Sequence, residues 1–357
     1  MVNNQVRICL RAVEISIEDR LIKRKHPLRI SRGISGETLN LFVKVSEGGI
    51  EGIGELAPVG YGVPQNAETC RASIEASSAT LSECAPSEVA RVETICRGAG
   101  MLSAAIAAIN MACWDWLGRK AGLPLYRMFG LSSRMQPTSV TIGILPCEEI
   151  PDRVRSLLDE TGGKIIKQKL GSSDGIEADK ERYLAARAAA PADVPIRVDA
   201  NGGWDLNDAI EMCRWLAGQG CAYVEQPLHF EDKSSMPRLY ESRSLPIFYD
   251  ETVSTAKDAA EVIPHCDGVN VKLLKAGGIS EAMRIVSVCR AHGKSTMIGC
   301  FSESSVAISA GAAIGSLFDH IDLDSHLNQD PDPAVGLEMI NGCLIPSESP
   351  GLGVTLR

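Results

Sequence analysis

Three segments decide how this chain folds: Pro195-Ile-Arg-Val-Asp-Ala-Asn201, Ala222-Tyr-Val-Glu-Gln226 and Pro246-Ile-Phe-Tyr-Asp250. Each is a short, strand-like run that closes on polar residues. Their acids, Asp199, Glu225 and Asp250, recur at intervals of 26 and 25 residues. That interval leaves room for one helix between successive parallel strands. The same texture extends in both directions. Thr138–Ile144 and Lys164–Leu170 precede the three, and Gly268–Leu273, Ser295–Cys300 and His320–Asp324 come after them. Eight such strands, roughly 20 to 30 residues apart and alternating with helical stretches, predict parallel βα units that close into a barrel. The barrel is expected over residues 132–326.

Upstream, residues 1–131 read as a separate α+β domain. Val6 to Ile17 alternates apolar and polar residues, as does Thr38 to Ser46 before the Gly48-Gly49 turn, so both are expected strands. Gly52-Ile-Gly-Glu-Leu-Ala57 imitates a dinucleotide-binding fingerprint. No helix opens there, and Pro58, Gly60 and Pro64 come next, so a hairpin is the better reading. From Pro64 to about Phe129 the pattern is helical, and Gly118, Gly122-Leu-Pro124 and Gly130 punctuate its end. Residues 327–357 show no helical pattern and are expected to return to the first domain.

Bulk properties narrow the function. The 357 residues are 45% hydrophobic and only 4% aromatic, which suits an α/β enzyme with a large core. A net charge of −9 argues against a nucleic-acid or anionic-membrane binder, since both need a cationic surface. The basic cluster Lys23, Arg24, Lys25, Arg29 and Arg32 reads, for most of its members, as a solvated face. Twelve cysteines are scattered without a CxxC pair, so they are expected to be reduced and mostly buried. Charges interrupt the first twenty residues, and no apolar run approaches membrane length. A cytoplasmic homo-oligomer is expected.

Polar residues at the ends of barrel strands face the catalytic mouth. Here they are Lys167 and Lys169, Asp199 and Asn201, Glu225, Asp250 and Glu251, Lys272, and Asp322 with Asp324. Singly, each acid could cap a helix and each lysine could reach for water. Together, three carboxylates on adjacent strands about 4.8 Å apart can share one cation. An all-oxygen set favours Mg²⁺ over zinc or copper. Strands two and six face each other across an eight-stranded barrel, so Lys169 and Lys272 should approach a metal-bound substrate from opposite faces. Inverting a carbon centre by proton transfer needs that arrangement: one base removes the proton and the other returns it. Lys167 points the same way as Lys169 and adds positive charge beside it.

These residues resemble the enolase superfamily in its muconate-lactonizing subgroup, and the resemblance covers nearly the whole chain. It rests on the Gly-Ile-Gly-Glu55 turn, on Ala-Cys-Trp-Asp-Trp-Leu-Gly118 with Gly122-Leu-Pro124, on the lysine pair and the three acids, and on Lys272-Leu-Leu-Lys-Ala-Gly-Gly278. It implies a (β/α)7β TIM-like barrel with an N-terminal α+β capping domain, one Mg²⁺, and acid/base lysines at Lys169 and Lys272. The mandelate-racemase relatives use a histidine at the end of strand seven. Here that strand ends Ile298-Gly-Cys300, so that subgroup is set aside.

Within the lysine-bearing subgroup, Asp322-x-Asp324 resembles the acidic pair of the dipeptide epimerases. A substrate with its carboxylate on the metal would direct its far end at this pair, and an extended dipeptide spans the gap of about 7 Å. A free ammonium group suits that end. The expected reaction is therefore epimerisation of the C-terminal residue of a dipeptide through an enediolate. The same resemblance gives Thr141, Lys167, Cys300, Ser302 and Arg32 as substrate contacts. Rival readings with the same machinery are N-acylamino-acid racemase, o-succinylbenzoate synthase and muconate cycloisomerase. Their substrates lack a free ammonium group. A non-catalytic metal-binding scaffold is the rival of another class, and the presence of both lysines with all three acids speaks against it.

Overall fold

The computed structural model describes residues 13–357. Residues 6–12 of the first expected strand, with Cys9, lie outside the described residues. The chain then forms an antiparallel sheet in the order β1–β2–β3, with β1 at Glu14–Ile30, β2 at Gly33–Glu47 and β3 at Ile50–Leu56. Three helices come next, α1 at Ala67–Leu81, α2 at Val89–Gly98 and α3 at Ser103–Ala121. Helix α3 is hydrophobic nearly all round, and its Ala104, Ala105, Ala107 and Ala108 are fully buried. Small side chains on both partners let it lie flat on β3. A Cβ at Gly52 would fall 2.1 Å from the Ala112 carbonyl oxygen, and one at Gly54 would fall 2.0 Å from that of Ala108. The glycines of the apparent dinucleotide motif therefore serve helix–strand contact within a hairpin.

The barrel comprises β4 (Ser139–Ile142), β5 (Ile165–Lys169), β6 (Ile196–Asp199), β7 (Val224–Glu225), β8 (Ile247–Tyr249), β9 (Gly268–Lys272), β10 (Ser295–Gly299) and β11 (His320–Asp322). All eight expected strands are present, parallel and in sequential order. A single bridge between Thr138 and Ile321 closes the ring. Leu323 N–H adds a 2.8 Å hydrogen bond to Thr138 Oγ1. The strands end earlier than their hydrophobic runs suggest. Asn201 and Gln226 have φ of 44° and 38°, so the chain leaves the sheet immediately after the acids of β6 and β7. Such left-handed conformations in side-chain-bearing residues cluster at functional sites.

Arg197, Tyr223, Phe248 and His320 pack inside the barrel, with Arg197 Nη2 3.1 Å from His320 Nδ1 and the Tyr223 and Phe248 rings 4.5 Å apart. These residues lie toward the start of their strands, so the polar residues at the strand ends form the opposite, accessible mouth.

The first domain closes over that mouth. Buried Glu55 accepts from Ser304 N (2.9 Å), Ser304 Oγ (2.6 Å), Ala307 N (3.1 Å) and Asn40 Nδ2 (2.7 Å). The irregular stretch of β1 between Lys23 and Leu28 pairs with the segment after β11, where His26 N donates to Asn328 Oδ1 (3.0 Å) and Asn328 Nδ2 donates to His26 O (2.7 Å). The C-terminal residues lie against α3: Leu352 N donates to Asp115 Oδ1 at 2.7 Å, and Arg119 Nη2 to Val354 O at 3.1 Å. No helix among the described residues is long and apolar enough to cross a membrane.

Candidate active site

Register sets the level of the polar groups. Lys169 on β5 pairs with Asp199 on β6, which pairs in turn with Glu225 on β7. Asp250 lies one residue beyond β8. Carboxylate oxygens of Asp199, Glu225 and Asp250 lie within 4.8 Å of one another. All three side chains are fully buried. Such a cluster is costly unless cations offset it. Lys169 Nζ donates to Asp199 Oδ2 at 2.5 Å, and Lys272 Nζ donates to Asp250 Oδ2 at 2.5 Å. Lys167 Nζ stands 3.9 Å from both Asp199 Oδ2 and Glu225 Oε2.

The carboxyls respond differently to this environment. Burial and the neighbouring Asp199 push Glu225 well above the usual carboxylate range. Burial also acts on Asp250, but Lys272 and Lys275 outweigh it and hold that group far down. Glu225 Oε2 is buried without a hydrogen-bond partner among the described residues. An orphaned oxygen in a set of three hard carboxylates fits a divalent cation with oxygen preference, Mg²⁺.

Two supports of the triad lie outside the expectations from sequence. Asn270 Nδ2 donates to Glu225 Oε1 at 2.6 Å. Lys275 Nζ donates to Asp250 Oδ1 at 2.6 Å and to Asn270 O at 2.7 Å. A Cβ at Gly299 would fall 2.6 Å from Asn270 Oδ1, so the glycine keeps that space open. The Lys272-x-x-Lys275 spacing is the available signal for Lys275, since the residues after β9 turn directly into a helical turn.

Above the triad lies a cavity of about 360 Å³. Lys167, Lys169, Lys272, Thr141, Cys300, Ser302, Arg32, Asp322 and Asp324 all line it. The structure thus gathers Lys167, Lys169, Lys272 and every expected substrate contact into one space. Lys272 Nζ also lies 4.7 Å from the centroid of the Phe301 ring. Burial alone would lower Lys272, but Asp250, Glu251 and Glu225 prevail and hold it well above the ordinary lysine value. Lys167 behaves alike, with Asp322 its strongest opposing charge.

The acidic pair is not symmetric. Asp322 binds Lys167 Nζ and accepts from Ser139 Oγ at 2.5 Å, and Lys167 holds its carboxyl low against the effect of burial. Asp324 Oδ2 accepts from Thr141 N at 2.6 Å. Asp324 makes no ion pair among the described residues, and burial with Asp322 pushes it up.

Two cap arginines take different places. Arg32 donates to Asn201 O at 2.7 Å and to Glu251 Oε1 at 2.7 Å, on the side of the triad. Arg24, expected among the solvated cluster, turns into the cavity and bonds Ser302 Oγ, close to Cys300 and Asp324. The Arg24–Gln329 bridge explains the difference, because it seats this part of β1 on the segment after β11.

This architecture has recognised relatives. A family model described as Enolase C-terminal domain-like matches residues 149–357, and one described as Mandelate racemase / muconate lactonizing enzyme, N-terminal domain, matches residues 12–130. The chain belongs to the enolase superfamily. It is 45% identical to a hydrophobic dipeptide epimerase of Roseobacter litoralis, over 94% of this chain and 96% of that protein. It is 44% identical, with the same coverage, to a hydrophobic dipeptide epimerase of a Flavobacteria bacterium. Among solved structures, it resembles a dipeptide epimerase of Enterococcus faecalis complexed with Mg and the dipeptide L-Leu-L-Tyr. The TM-score is 0.89 at 29% identity, over 96% of this chain and 99% of that one.

Proposed function

We propose that this chain is an isomerase that epimerises the C-terminal residue of a dipeptide by 1,1-proton transfer between two lysines. The observation that carries the reading is the placement of Lys169 and Lys272. They end strands β5 and β9, four positions apart in an eight-stranded ring, and each rests on a different acid of the triad. In this reading Asp199, Glu225 and Asp250 hold Mg²⁺, whose Lewis acidity makes the α-proton of a bound carboxylate removable. Lys169 takes the proton from one face as a neutral amine, and Lys272, charged, gives a proton to the other face. Run backwards, the lysines exchange roles. Lys167 remains charged and bridges the triad to Asp322. Asp324 receives the substrate's free ammonium group, and Thr141, Cys300, Ser302 and Arg32 line the path between the two ends.

The eleven described cysteines are all free thiols, which supports a reducing, cytoplasmic setting. Self-association into a homo-oligomer belongs to the same reading and can be weighed by sedimentation.

The two-base scheme is tested by proton exchange in heavy water. Lys169→Ala and Lys272→Ala should each abolish epimerisation, while each variant exchanges the α-proton of one stereoisomer only. Equal exchange of both isomers by either variant overturns the scheme.

A further inference from the structure

The helix Ile150–Thr161 presents Arg153, Leu157, Glu160 and Thr161 to the cavity. Their spacing of four, three and one places them on a single helical face. Leu157 is buried and forms an apolar wall. Thr161 Oγ1 already donates to Leu157 O at 2.6 Å. Arg153 is different. Its Nη1 is buried with no hydrogen-bond partner among the described residues, and its guanidinium makes no ion pair among them. Burial pulls its ionisation down, and the nearest opposing charges are Glu160 and Asp324. A part-buried guanidinium with an unused donor leaves a desolvation cost uncompensated. Arg153 and Asp324 line the same cavity.

We infer that Arg153 reads the side chain of the dipeptide's N-terminal residue, and that the group it takes is a carboxylate of glutamate length. The inference rests on the proposed orientation, with the ammonium group at Asp324. From there the N-terminal side chain runs along Leu157, and its terminal oxygens meet the part of the Arg153 guanidinium that lines the cavity. A guanidinium–carboxylate contact there would offset the unpaired charge. The C-terminal residue meets other walls, Ile30, Ile34 and Phe301, which are apolar. The preferred substrate class is thus an acidic residue followed by an apolar one.

The test compares L-Glu-L-Leu with L-Met-L-Leu, side chains of similar length with and without the carboxylate. Wild-type kcat/KM should favour the glutamyl substrate by about tenfold or more, the scale of a hydrogen bond to a charged group. In Arg153→Met that ratio should collapse to about one. Arg153→Gln, which keeps volume and a donor but loses the charge, should lower it markedly if the methionine variant does not fold. In Arg153→Glu the preference should move to L-Lys-L-Leu. A wild-type ratio near one, or a ratio that survives loss of the guanidinium, overturns the inference. If neither these substrates nor L-Ala-L-Leu is epimerised, the dipeptide reading itself falls. Turnover without an Arg153-dependent preference sinks only the specificity assignment.

Discussion

Replacing Asp324 by asparagine separates the dipeptide reading from its rivals. Asp324 Oδ2 is engaged by Thr141 N at 2.6 Å. An asparagine must keep its carbonyl oxygen there to satisfy that donor, which turns its NH₂ group toward the cavity. An incoming ammonium group would then face a donor in place of a carboxylate. Breaking one side of a desolvated charge pair costs roughly 2–5 kcal/mol. Asp322 still supplies negative charge nearby, although Lys167 and Ser139 already occupy it. The expected loss is therefore at the lower end, about 2–3 kcal/mol, or roughly 30- to 150-fold in kcat/KM. Most of it should appear in KM, because the ammonium group is held alike in ground and transition states. Asp322→Asn should behave differently. It strands the Lys167 charge beside the triad, so kcat should fall as well. Steady-state epimerisation followed by NMR measures both. N-Acetylating the dipeptide removes the same interaction from the substrate side. It should hurt the wild type by a similar factor and add little to the Asp324→Asn loss, as expected for two changes that delete one contact. If the acetylated dipeptide turns over as fast as the free one in the wild type, the ammonium assignment is wrong. Independent, additive losses would refute it equally.

Removing divalent metal should abolish activity, because three buried carboxylates would be left to repel one another and the enediolate would lose its main stabilisation. Chelator-treated protein should regain activity with Mg²⁺ or Mn²⁺, and normal epimerisation without either would contradict the site. Stability should also depend on acid. Burial pulls both His320 and His326 down to about 4, below the ordinary histidine value near 6.5. The unfolded chain therefore binds more protons, and stability present above pH 6.5 is lost as the pH falls from there toward 4. Thermal melts should show the midpoint dropping across that window, more steeply than in a His326→Asn variant. Parallel slopes would show that this imidazole is not responsible.

Much of this protein is legible in its sequence, because the relevant signals are local. A strand is recognised by a few neighbouring side chains. The acids at 199, 225 and 250 mark one level of a barrel because each βα unit adds one strand end. The lysines of β5 and β9 can be placed across from each other by counting strands. Pro58, Gly60 and Pro64 distinguish the Gly52 and Gly54 hairpin from a dinucleotide motif, since no helix can open through them. Tertiary structure alone decides which charge meets which. Asp322 and Asp324 look equivalent in sequence, yet barrel closure brings Lys167, 155 positions away, onto Asp322 only. Asn270 and Lys275 support the triad through side-chain contacts that no periodicity encodes. Arg24 looks like one of several solvated cations until its stretch of β1 pairs with Gln329 and turns it inward. The hydrophobic pattern specifies elements because it is written in adjacent residues. Ion-pair partners depend on register, curvature and closure, which exist only once the elements have met.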